Sequence, residues 1–107
     1  MLHIKQILID ALDAFTATTG IPANIIELEK AMPAGYVDAE IRLGDAPPLI
    51  AGIQKTLRPA NLGAALANLK RFNRPGILIT EYMTPQMAEK LKEMKIQFLP
   101  ILLWSRS

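Results

Sequence analysis

Tyr36-Val37-Asp38-Ala39-Glu40-Ile41-Arg42-Leu43 alternates strictly along its length and is followed by Gly44-Asp45-Ala46-Pro47-Pro48. Leu49 to Leu57 then runs apolar into Gln54-Lys55, and Arg58-Pro59 opens a stretch of helical periodicity that ends before Arg74. Period-two alternation predicts a strand over 36–43, with Asp38, Glu40 and Arg42 on one face. The Gly/Asp/Pro cluster predicts a turn, and 49–57 a second strand beside the first. Pro59 suits a first helical turn, where its missing N–H leaves no bond unmade. Two strands and a helix therefore place an acidic strand face next to a strand end rich in polar and basic groups.

Working outward, Ile4, Ile7, Leu8, Ala11, Leu12 and Phe15 recur at steps of three and four, so Leu2 to Thr18 reads as an amphipathic helix closed by Gly20 and Pro22. Asn24 to Lys30, with β-branched Ile25 and Ile26, reads as a strand, and Met32-Pro33-Ala34-Gly35 as a turn. Leu62, Ala65, Leu66, Leu69 and Phe72 form the buried stripe of the helix over 59–72, where Gly63, Ala64, Ala65 and Ala67 are expected to let it pack closely on a sheet. Ile77-Leu78-Ile79-Thr80 is a nearly continuous apolar run, the signature of a strand covered on both faces. Thr84-Pro85 is an N-cap and N1 pair, with Met87, Leu91 and Met94 as the inward face of the next helix. Ile96 to Trp104 closes the chain as an apolar strand broken by Pro100. The order αβββαβαβ gives an α/β fold: an antiparallel meander of 24–30, 36–43 and 49–57, then crossovers into a mixed sheet, in one domain spanning 1–107.

The bulk composition narrows the function classes. Half of the 107 residues are hydrophobic, which excludes disorder. Without cysteine there is no disulfide, thiolate nucleophile or thiolate-held zinc. No apolar run reaches the roughly 18–20 residues of a membrane span, and Lys5, Asp10 and Asp13 interrupt any signal-peptide pattern, so a cytoplasmic protein without membrane contact is expected. Residues 1–53 hold seven acids and three bases, whereas residues 54–107 hold three acids and nine bases. Lys55, Arg58, Lys70, Arg71 and Arg74 cluster on or beside one helix. They read either as a solvated face or as a surface for phosphate, as in duplex DNA, or for an acidic protein. There is no Gly-rich phosphate loop. The serines fall in the tail, and His3 has no partner at ligand spacing.

The layout of Asp38 on one strand, Gln54 and Lys55 on the next and a helix thereafter resembles the restriction-endonuclease-like, or PD-(D/E)XK, superfamily over about residues 2–99. More narrowly, Lys55-Thr56-Leu57-Arg58-Pro59-Ala60-Asn61-Leu62-Gly63 and Ile77-Leu78-Ile79-Thr80-Glu81-Tyr82-Met83-Thr84-Pro85 resemble a bacterial, often plasmid-associated group of transcriptional regulators and abortive-infection-type antitoxin relatives. The resemblance implies a nuclease-like domain of about this size, often joined to other segments such as a winged helix. It assigns Asp38 to the family's first acid. In one register Gly52 occupies the second-acid position and Gln54 the lysine position. In the shifted register Lys55 takes the lysine position, but Ile53 then replaces the acid. No acid lies in residues 59–72 to substitute for it. A metal-dependent phosphodiesterase needs converging carboxylates on Mg²⁺ and a lysine, so the expectation is no metal cofactor, with Mg²⁺ relevant only if the site works.

Asp38 and Glu40 therefore read either as an exposed strand face neutralised by Arg42 or as a residual metal or phosphate site, with Gln54 and Lys55 as vestigial partners. The leading expectation is a non-catalytic nuclease-fold domain in DNA-linked regulation or defence, binding DNA weakly through its basic half. An antitoxin-like oligomerisation domain and a Mg²⁺ nuclease completed by a partner subunit are the alternatives. The resemblance stops at Pro100, as in a shortened or frameshifted copy lacking a following DNA-reading domain. The apolar Phe98–Trp104 segment predicts a homo-oligomer that covers it.

Overall fold

The computed structural model describes residues 2–103, with side-chain detail over residues 4–101. The central feature is β4, Gly76–Met83, where Ile77, Leu78, Ile79 and Thr80 are all buried. Leu78 joins one apolar cluster, while Ile77 and Ile79 join another on the opposite face. Such a strand needs helices on both sides. One layer is α1, Leu2–Thr19, whose Ile7, Leu8, Ala11 and Leu12 pack with Ala39, Ile41, Ala51, Ile53, Ile77 and Ile79. The other is α2, Pro59–Lys70, with α3, Pro85–Glu93. Their Leu62, Ala65, Leu66, Leu69, Met87, Ala88 and Leu91 pack with Ile50 and Leu78.

The five strands lie in sequence order. β1 (Ala23–Met32), β2 (Gly35–Leu43) and β3 (Leu49–Thr56) are antiparallel; β4 and β5 (Phe98–Leu103) continue parallel to β3. The described residues thus form an α/β domain with a five-stranded mixed sheet and three helices. Successive crossovers in one direction carry α2 and α3 to the same face, as one-handed connections require.

Local chemistry explains the helix ends. The Thr84 hydroxyl accepts from the Met87 N–H at 3.2 Å, capping α3. At α2, the Asn61 side chain accepts from the Arg58 N–H at 2.8 Å and donates to the Thr56 carbonyl at 3.0 Å, fastening the helix start to β3. α3 ends with Lys95 at φ 60° and an Ile96 N–H to Leu91 carbonyl bond of 2.9 Å. This is the closure that usually takes glycine or asparagine at the left-handed position.

Several packing expectations change. In α2 only Ala65 of the small residues is buried; Gly63, Ala64 and Ala67 face solvent. Met94 is exposed beyond the end of α3, leaving Met87, Ala88 and Leu91 as its inner face. Phe98, Leu99 and Ile101 are half-buried against this chain's own helix layers. Trp104 lies outside the described residues.

Two glycines give opposite predictions. Gly63 sits within a helix and has open space where a methyl group would stand, so Gly63→Ala is expected to raise unfolding free energy by about 0.5–1 kcal/mol. At Gly76 a Cβ would stand 2.8 Å from Leu69 Cγ, and both Leu69 methyls lie within 3.0 Å. Gly76→Ala is therefore expected to lower it by about 1–3 kcal/mol through overpacking. Urea unfolding of both variants checks the pair.

Candidate functional site

β2 and β3 pair only over Ala39–Ala51, Glu40–Ile50 and Ile41–Leu49. Beyond that point the β1–β2 hairpin runs on by itself to Met32 and Gly35, so it forms an arm at the side of the sheet. Asp38 stands where the ladder opens. Its Oδ2 accepts the Ile53 N–H at 2.9 Å, a donor that has no β2 carbonyl partner in that register. The carboxylate thus extends the strand pairing by one bond.

A half-open cleft of about 150 Å³ lies beside Asp38, lined by Tyr36, Val37, Ala51, Gly52, Asn68, Leu69, Arg71 and Phe72. Gly52, the residue at the second-acid position, turns toward the hydrophobic interior. A Cβ there would meet Leu78 at 3.5 Å and Leu69 at 3.6 Å. An acid at 52 would be aimed at leucines. Arg71 lies over the hairpin turn, its guanidinium 3.1 Å from where a Cβ on Gly35 would stand and 5.1 Å from the Phe72 ring centre. Cation–π contact of that length holds the guanidinium at the cleft wall.

Glu40 departs from its reading as an exposed strand residue. It is only 7% exposed, and its neutralising partners are not Arg42, which is exposed, but Arg74 and Lys30. Arg74 Nη2 donates to Glu40 Oε2 at 2.9 Å, and Lys30 Nζ sits 3.3 Å from Glu40 Oε1 and 3.3 Å from Glu27 Oε1. Burial alone pushes the Glu40 carboxyl up, but hydrogen bonds from Arg74 and Lys30, with their charges, outweigh it and hold the group below its ordinary value. Lys30 is held above its ordinary value, chiefly by the hydrogen bond to Glu27 and then by that to Glu40.

The remaining site residues divide. Ala51 and Ile53 pack with α1, whereas Gly52 touches Leu69 of α2. By alternation Gln54 shares the Gly52 side, and Lys55 points to the opposite face from the Asp38 cleft. Lys55 and Arg58 stand at the start of α2, and Lys70 and Arg71 at its end, about 18 Å apart at 1.5 Å rise per residue. The basic residues form two groups at opposite ends of a helix. Arg74 belongs structurally to Glu40, so charge reversal there would put two carboxylates together and is no clean probe of a binding surface.

Among the described residues no three His, Asp, Glu or Cys side chains come together as a metal cluster. Asp38 reaches the cleft alone, and Glu40 is enclosed by cations. Sequence reasoning missed Lys30. The irregularity of β1 between Ile25 and Glu27 and the positive φ of Glu29 (49°) break the alternation before it, and neither has a sequence signature. Compared with family profiles, curated proteins and solved structures, the chain matches none.

The Glu40 network makes stability depend on pH with a definite sign. A carboxylate held below its ordinary value of 4.5 contributes stability that is complete above that value and is lost as pH falls through its lowered value in the folded protein. Wild type is expected to lose stability below about pH 4.5, and Glu40→Gln to show a flatter acid limb. Arg74→Ala is expected to cost about 1–2 kcal/mol at pH 7, at the low end for a charged hydrogen bond because Arg74 is partly exposed to solvent. Urea titrations from pH 3 to 7 measure both.

Proposed function

We propose that this chain is a non-catalytic domain of restriction-endonuclease-like type that serves DNA-linked regulation or defence by contacting duplex DNA weakly and without strong sequence preference. The observation that carries the reading is the position of Asp38. It lies where β2 and β3 part, as the first acid of such a site would, yet its carboxylate accepts the Ile53 N–H, and the neighbouring second-acid position is Gly52 facing leucines. One carboxylate cannot hold and polarise a divalent ion against a phosphodiester in the way two-acid sites do. What remains is binding. Lys55 and Arg58 at one end of α2 and Lys70 and Arg71 at the other are exposed, and their spacing of about 18 Å covers roughly five base pairs of duplex at 3.4 Å each.

The alternative is an oligomerising, antitoxin-like domain. Its support is β1, a ten-residue edge strand carrying exposed Ile26 and Leu28. Against free edge pairing stand the irregularity near Ile26 and the charged Glu27, Glu29 and Lys30, devices that keep edges apart.

Fluorescence anisotropy with a short duplex separates the two. Kd is expected on the order of 10⁻⁴–10⁻⁶ M near physiological salt. With three or four phosphate contacts, affinity should fall about 40- to 150-fold between 50 and 200 mM salt. Lys70→Glu with Arg71→Glu should weaken it while Arg74 is left in place. Plasmid nicking with Mg²⁺ or Mn²⁺ should be absent. Nicking that disappears in Asp38→Ala would overturn the non-catalytic reading in favour of a site completed by a partner subunit, and a tight dimer without DNA affinity would favour the oligomerisation domain.

A further inference from the structure

Lys95 occupies a backbone position that does not suit it. It has φ 60° at the end of α3, where an L side chain crowds its own carbonyl and glycine or asparagine is usual. Its amide donates to Lys92 and the next amide to Leu91, so the conformation is fixed by the helix closure. The helix dipole does not call for a lysine there. A cation near a helix C-terminus is favourable, but Lys90 and Lys92 already supply it in the last turn of α3.

The conformation brings Lys95 to a recess of about 310 Å³ that it lines together with Lys70, Leu69, Pro75, Gly76, Ile96 and Gln97. The recess lies where β4 and β5 begin, and there the Leu78 N–H donates to the Gln97 carbonyl at 3.0 Å. Its lining holds two lysines, one amide side chain and no acid. Neither lysine makes an ion pair among the described residues, whereas Lys30, Arg74 and Lys92 do. Two uncompensated ammonium groups over a shallow apolar floor attract an anion with several acceptor oxygens, and the space suits a tetrahedral group with its flanking atoms.

We infer that the Lys70–Lys95 recess is a phosphate site that takes one backbone phosphodiester of bound nucleic acid, and that Lys95 is kept in a strained conformation for that contact. This rests on the DNA-binding reading above and adds a residue that lies outside the basic cluster read from the sequence. The Arg71 side chain, beside the neighbouring Asp38 cleft, provides a next cation along the same end of α2.

Two measurements on the intact chain test it. Amide and lysine Nζ NMR shifts are followed during titration with inorganic phosphate against sodium chloride at matched ionic strength. Shifts confined to Lys70, Lys95 and Gln97 are expected; their absence overturns the inference even if DNA binds elsewhere. Duplex DNA affinity is then measured against salt for wild type, Lys70→Gln with Lys95→Gln, Lys55→Gln with Arg58→Gln, and Lys95→Gly. Loss of that one phosphate contact should reduce the steepness of log affinity against log salt by about 0.9 in the first double variant. Lys95→Gly should raise Tm by roughly 2–6 °C by relieving the left-handed strain while weakening DNA binding. A Lys95→Gly chain that is more stable and binds DNA as wild type does overturns the inference, as does an unchanged salt slope in the Lys70, Lys95 pair. Failure of wild type to bind DNA at low salt instead overturns the proposed function, and the phosphate titration then judges the recess by itself.

Discussion

Covering β4 on both faces is the constraint on which the rest depends. A strand whose Ile77, Leu78, Ile79 and Thr80 are all buried cannot lie at an edge or face water. It takes a parallel neighbour on each side, and each parallel connection demands a crossover helix. Those helices, α2 and α3, cover one face and leave the other to α1. Even the buried Thr80 hydroxyl is accommodated: Thr80 Oγ1 lies 3.2 Å from the Lys55 carbonyl and 3.0 Å from that of Tyr82, and accepts the Tyr82 N–H.

The antiparallel half obeys a different rule. β1 and β2 outrun the rest of the sheet, and the arm they form is tied down by charge as well as by the packing of Val37 and Met32 on the core. Glu40 links it to the loop before β4 through Arg74, and Lys30 closes the other oxygen. Asp38 adds a bond from arm to β3 through Ile53. The two acids that could be taken for a metal pair are thereby both engaged in structure. Glu40 is held in its charged form by the two cations that enclose it, and Asp38 gives one oxygen to the Ile53 N–H.

Separating chemistry from binding gives the remaining surface its meaning. Lys55, Arg58, Lys70 and Arg71 at the two ends of α2 and Lys95 at the end of α3 make no ion pair among the described residues, and their side chains meet solvent. Such groups add little to stability. Their positions matter for what a long polyanion could touch at once, and that depends on helix length and strand order more than on local sequence.

The sequence by itself determined the elements. Strict alternation over 36–43, the continuous apolar run at 77–80, Thr84-Pro85 as a cap and the stripe Leu62, Ala65, Leu66 and Leu69 each follow from local geometry, because side-chain period and capping chemistry act within a few residues. It also placed Asp38 on a polar strand face and collected the basic residues near α2. Only the tertiary structure decided what those residues do. Glu40 is buried because Arg74, thirty-four residues away, lies over it. Which of Gln54 and Lys55 shares the Gly52 side follows only from the packing of Gly52 on Leu69 of α2. Lys70 and Lys95 line one recess because β4 and β5 are parallel neighbours. Positive φ at Glu29 and Lys95 has no compositional mark, since these residues take that conformation only where surrounding bonds impose it. Contacts between residues distant in the chain depend on strand order and packing, and no local pattern encodes them.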